Sequence, residues 1–147
     1  MLTKARVSHA AVDLDGLTAM YPKQGRYGER IMLANLDAIW PLYASSGARR
    51  LMVARVVENV KDVSRLCEAV PGAKPIVCRL TAPAATMKKR IKVRELGMFQ
   101  SKALARSVEL AGILERVHVE DFTVDNSGRR SITEVARDML TKAGWLR

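Results

Sequence analysis

The chain alternates between short apolar runs and longer stretches in which apolar residues recur at helical spacing. Val7-Ser8-His9-Ala10-Ala11-Val12 ends abruptly in Asp13-Leu14-Asp15-Gly16, the pattern of a buried strand of a parallel sheet. Between about residues 27 and 45, Ile31, Ala34, Ala38 and Leu42 fall on one helical stripe, widened by Leu36, Ile39 and Trp40. Pro41 is expected to kink or break this helix near its end, because it lacks an N–H and its ring crowds the preceding turn. Gly47 closes the element, and residues 51–57 form a second apolar run. Asn59 fits the N-cap of a helix with Val60, Val63, Cys67 and Val70 on its inner face, stopped by Pro71-Gly72.

A third strand is expected over residues 75–80. Thr81-Ala82-Pro83 then leads into a basic helix with Met87 and Ile91 inward, and Gly97 interrupts the pattern. The next helix, about residues 101–116, carries Leu104, Val108, Ala111 and Leu114 on one stripe. A fourth strand includes Phe122-Thr123-Val124-Asp125, followed by the turn signature Asn126-Ser127-Gly128. Ser131-Ile132-Thr133-Glu134 fits a capping box opening a last helix, with Ile132, Val135, Met139 and Leu140 inside. Alternating strands and helices predict an α/β three-layer sandwich with a mostly parallel sheet, a single domain over residues 1–147.

Charge changes this picture. Twenty-five basic residues outweigh fifteen acidic ones, a formal net charge of +10. Residues 79–106 hold Arg79, Lys88, Lys89, Arg90, Lys92, Arg94, Lys102 and Arg106 against Glu95 alone. A basic concentration of this kind attracts polyanions, whether a nucleic-acid backbone or the phosphates of a nucleotide, although a solvated helix face would look similar. One aromatic, Phe99, gives no stacking platform for single strands, and no helix-turn-helix or zinc-finger pattern is present. No apolar run reaches the ~20 residues of a bilayer span, and residues 1–6 lack the apolar stretch of a secretory leader. Cys67 and Cys78 are far apart and lie in apolar patterns, as reduced core cysteines of a cytoplasmic protein do. His9 and His118 are isolated, and there is neither a G-x-S-x-G elbow nor a G-x-G-x-x-G turn.

Candidate chemistry gathers at the end of the first strand. Ligands of open α/β sheets bind beyond the carboxyl ends of the strands, where Asp13 and Asp15 are expected with side chains on the same side of an extended backbone. Two carboxylates so placed can hold Mg²⁺ through water or take a proton from a substrate hydroxyl. The same pair also reads as a capping Asp13 and a solvated Asp15, and D-x-D spacing does not choose between them.

Taken together, the D-x-D strand, Tyr21-Pro22, Asn35-Leu36, Trp40-Pro41, Gly47-Ala48-Arg49, the arginines of the basic helix and Val124-Asp125-Asn126-Ser127-Gly128 form a series. It resembles the P-loop small-molecule kinases, the group of shikimate, gluconate, adenylylsulfate and nucleoside monophosphate kinases, and looks closest to actinobacterial kinase-like ATPases. The resemblance covers almost the whole chain in short pieces. It implies that Asp13 and Asp15 contact the phosphate acceptor and the water shell of Mg²⁺ bound with ATP, with Asp13 as base or water-mediated metal ligand. It sets Arg26 and Arg30 beside the acceptor pocket. Arg90 and Arg94 would be lid arginines within a lid-like segment of about residues 83–106, closing over the transferred phosphoryl group. Ser127, Gly128 and Arg129 would edge the adenine base.

One departure is large. The family opens on a strand and G-x-x-x-x-G-K-[ST], whose amides and Lys cradle the phosphates, and this chain contains no such stretch. The lost strand is central in the family's sheet, so its absence is expected to expose two inner strand edges, open to water or to a second copy of the chain. An N-terminal truncation, a degenerate relative, or a strand supplied by a partner would each account for the gap. Retention of Asp13, Asp15, Arg90 and Arg94 favours truncation. The expected activity is an ATP-dependent phosphotransferase, impaired without its P-loop, acting on a nucleotide and a small acceptor, with no membrane. A nucleic-acid-binding or regulatory module using residues 79–106 is the alternative.

Overall fold

A computed structural model of the protein describes residues 1–22 and 28–146. The chain is α/β and divides into two compact units, Met1–Pro75 and Ile76–Arg147. In the first, β1 (Ala10–Asp13), a 3₁₀ turn (Gly16–Thr18), α1 (Glu29–Ser45), β2 (Leu51–Ala54) and α2 (Val60–Ala69) follow in order. β1 and β2 pair in parallel, Ala10 opposite Leu51 and Asp13 opposite Ala54, so both strands end at the same edge. A parallel pair needs a crossover, and α1 supplies it.

The core of this unit is Leu14, Met32, Leu36, Ala69 and Val70, packed by Val12, Leu33, Ile39, Trp40, Leu51 and Leu66. The inner face of α1 therefore runs through Met32, Leu36 and Ile39, whereas Ala34, Ala38 and Leu42 of the expected stripe are exposed. Both stripes have helical spacing. The one with the larger side chains removes more apolar area from water, and it is the one buried. Pro41 does not break the helix, which continues to Ser45. Asn59 caps α2 as expected, its Oδ1 accepting from the Asp62 amide at 3.1 Å. Val60, in the first turn, is exposed instead of inward.

In the second unit, β3 (Cys78–Thr81), α3 (Ala84–Arg94), α4 (Met98–Val117), β4 (Phe122–Asp125) and α5 (Ile132–Lys142) follow. β3 and β4 pair in parallel, Cys78 opposite Phe122 and Thr81 opposite Asp125, with α3 and α4 as the crossover. β3 starts later than its apolar run suggests. The Val77 amide is taken by the Asp121 carboxylate at 2.7 Å, and Pro75 has no amide to give. Val124, Val135 and Leu140 are buried here. Ser131 and Glu134 form the capping box: the Ser131 hydroxyl accepts from the Glu134 amide, and the Glu134 carboxylate accepts from the Ser131 amide at 2.7 Å. That cap turns Ile132, the first helical residue, outward, so it is exposed and not part of the inner face.

Among the described residues β1 pairs only with β2 and β3 only with β4. The strands are not covered on both faces, since Ala11, Val53 and Leu80 are exposed. Both cysteines are free thiols. No helix of the described residues is long and apolar enough to cross a membrane.

Candidate functional site

At the carboxyl edge of the first unit, the strand stops at Asp13 and the backbone turns. Asp15 has helical dihedrals (φ −66°, ψ −32°), so the two carboxylates do not share an extended backbone as D-x-D spacing suggested. Instead, Asp13 Oδ1 accepts from the Asp15 amide at 3.0 Å, which fixes the turn. Asp15 Oδ1 accepts from Arg55 Nη1 at 2.8 Å. Arg55 follows β2 directly, and the parallel register puts Ala54 beside Asp13, so the next residue meets the turn after β1. The Asn35 side chain, from α1, donates to the Leu17 carbonyl at 2.8 Å and ties the helix to the same turn.

Arg55 also lines a cavity of about 240 Å³ with Glu29, Met32, Asn59, Asp62 and Arg65. Arg65 Nη1 meets Glu29 Oε1 at 2.6 Å. The space is that of roughly eight waters, enough for a small metabolite. Its lining combines apolar side chains such as Met32 and Leu66 with charged ones of both signs.

The second unit has its own cluster at the carboxyl edge of its strands. Asp125 ends β4, and its carboxylate accepts from the Ser127 amide at 3.0 Å and the Ser127 hydroxyl at 2.9 Å. Thr81 closes β3 opposite it and accepts from the Asn126 amide at 2.7 Å through its carbonyl. From α3, the Thr86 hydroxyl donates to the Ser127 carbonyl at 3.4 Å, and Arg90 Nη2 reaches Asn126 Oδ1 at 3.5 Å. Gly128 has φ +95°, a conformation that favours glycine, and a Cβ there would lie 3.7 Å from the Arg90 guanidinium.

The residues expected from sequence are thus distributed over both units. Asp13 and Asp15 are together, joined by Arg55, a residue that lies within the apolar run 51–57. Arg90, Ser127 and Gly128 are together in the second unit, with Arg129 exposed beside them. Arg94 lies one turn past Arg90, with its Nε donating to Glu95 at 2.8 Å. Arg30 is exposed in the first turn of α1, whereas Arg26 lies outside the described residues. His9 and His118 serve locally: His9 Nδ1 lies 2.8 Å from the Val7 carbonyl, and His118 Nδ1 lies 3.4 Å from Glu120. Burial pushes the Cys78 thiol up, away from nucleophilic use, with the Lys142 charge opposing it.

Part of the basic segment is spent internally. Arg79 pairs with Glu115 at 2.9 Å and Glu120 at 3.2 Å, and Arg106 pairs with Glu109 at 2.8 Å. Among the described residues no three His, Cys, Asp or Glu side chains gather to hold a metal ion. No family model, no curated protein and no solved structure matches this chain.

Proposed function

We propose that the chain is an ATP-dependent phosphotransferase-type domain, of the small-molecule kinase kind, with a P-loop NTPase-like three-layer architecture from which the first strand and P-loop are absent. The observation that carries the reading is the placement of chemistry. Each parallel pair ends, at its carboxyl edge, in a carboxylate-bearing turn with an arginine against it, Asp13–Asp15 with Arg55 and Asp125–Ser127 with Arg90. Such edges are where α/β sheets bind ligands.

In this reading Asp13 faces the acceptor hydroxyl as base, and Asp15 and Arg55 orient the acceptor over the 240 Å³ cavity. Asp13 and Asp15, both exposed, would hold the water shell of Mg²⁺ bound with ATP, which would supply charge neutralisation. Arg90 and Arg94 stabilise charge on the moving phosphoryl group, while Ser127, Gly128 and Arg129 border the base. Within its own unit, and among the described residues, each of β1 and β3 pairs with one strand, as an incomplete sheet would have it.

Isothermal titration with ATP and Mg²⁺ tests the proposal on this chain beside a version extended upstream by a strand and G-x-x-x-x-G-K-[ST]. Binding by the extended version alone supports it. Binding by neither overturns it. The nucleic-acid alternative draws on the exposed Lys88, Lys89, Lys92 and Lys102 and predicts steep loss of DNA affinity with salt.

A further inference from the structure

The turn joining α3 to α4 exposes a knuckle whose apolar side chains the phosphotransferase reading does not use. Val93, Leu96, Met98 and Phe99 are between 65% and 78% exposed within seven consecutive residues. Soluble surfaces carry scattered apolar side chains, but four large ones on one turn mark a contact.

Part of the knuckle's backbone is satisfied from within. The Gln100 side-chain amide donates to the Lys92 carbonyl at 3.2 Å and to the Glu95 carbonyl at 3.1 Å. The Glu95 amide donates to the Ile91 carbonyl at 2.8 Å and the Gln100 amide to the Gly97 carbonyl at 3.1 Å. Glu95, the acidic side chain of the turn, is held by Arg94. Polar groups that must lose water are costly to bury, and the groups just named have partners before any contact is made.

Around this tip stands a collar of cations. Lys89 and Lys92 are exposed on the last turns of α3, and Lys102 is exposed one turn into α4. Residues three and four apart share a helix face, so Lys89 neighbours Val93 and Lys102 neighbours Met98 and Phe99. Long lysine stems can keep their charge at a polar boundary while apolar neighbours go deeper.

We infer that the α3–α4 knuckle docks on an anionic lipid surface, with Val93, Leu96, Met98 and Phe99 entering the interface and Lys89, Lys92 and Lys102 pairing with headgroup charges. Charge complementarity selects this occupant. A nucleic-acid backbone would use the lysines but leave the apolar tip without a role. The expectation of no membrane rested on the lack of a spanning run, and a surface contact needs none.

The test is cosedimentation of the full chain with vesicles of phosphatidylcholine alone or mixed with phosphatidylglycerol. Binding is expected to the mixed vesicles only, weakening with salt. The pair L96N and F99N is expected to lower partitioning more than roughly tenfold. Each of K89Q, K92Q and K102Q should lower it roughly fivefold. Melting temperatures of these surface variants stay at the wild-type value, which separates lost contact from lost fold. No binding to mixed vesicles, equal binding to both kinds, or binding indifferent to L96N and F99N would overturn the inference. So would duplex DNA bound more tightly than the vesicles at the same salt.

Discussion

Arg79 lies in the most basic segment of the chain, yet its partners are internal, and replacing it should cost fold stability instead of partner affinity. Its side chain is 18% exposed and bridges Glu115 on α4 and Glu120 before β4. Arg79→Met keeps the alkyl stem and removes the guanidinium. Glu115 is exposed, so that half of the bridge is worth ~0–1 kcal/mol. Glu120 is 9% exposed and loses a charged hydrogen bond, a loss of ~1.5–3 kcal/mol. A combined cost of about 2 kcal/mol should lower the melting temperature by about 4–8 °C in a chain of this size. The assay is thermal melting followed by circular dichroism.

Acid supplies the sign of the effect. Glu120 titrates below the ordinary 4.5, first through its own backbone amide and then through Arg79. The stability it contributes is present above 4.5 and is lost as pH falls through the lowered folded value. The gap between wild type and variant should therefore be full at neutral pH and close below that range. His118, the other group facing Glu120, is common to both proteins. An unchanged melting temperature, or a gap that persists undiminished in acid, would refute the reasoning.

Other outcomes follow from the same geometry. Leu36→Ala empties a fully buried position of the first unit and should cost ~2–5 kcal/mol, read by urea denaturation. Ser131→Ala removes the acceptor for the Glu134 amide and should cost ~1 kcal/mol in the same assay. Glu134 is held below its usual range by the Ser131 hydroxyl, so the difference should narrow in acid, below 4.5. In a version carrying the P-loop, Asp13→Asn should abolish phosphoryl transfer with the melting temperature unchanged, because an Asn Oδ1 still accepts from the Asp15 amide. Retained activity would remove Asp13 from its role. Arg94→Ala in that version should lower turnover more than ATP affinity, and unchanged turnover would take Arg94 out of the site.

What could be read from sequence, and what could not, separates along the range of the interaction involved. Asn59, Ser131, Gly97 and the strand at Phe122–Asp125 were legible because each is specified within a few residues, by a cap, a left-handed position or an apolar run. The phase of α1 was not, since two stripes of the same period coexist and the choice depends on what the sheet offers to bury. Ile132 was misplaced because periodicity assigned it a face that the capping geometry overrides. Arg55 shows the deepest limit. In Leu51-Met52-Val53-Ala54-Arg55-Val56-Val57 it reads as a lone charge inside a strand. Only the pairing of Asp13 with Ala54 brings it to Asp15, 40 residues away in sequence. A cluster assembled by strand register leaves no local spacing to detect. The D-x-D pair could therefore announce a turn at a strand end, while the arginine that completes it became visible only once the two strands were aligned.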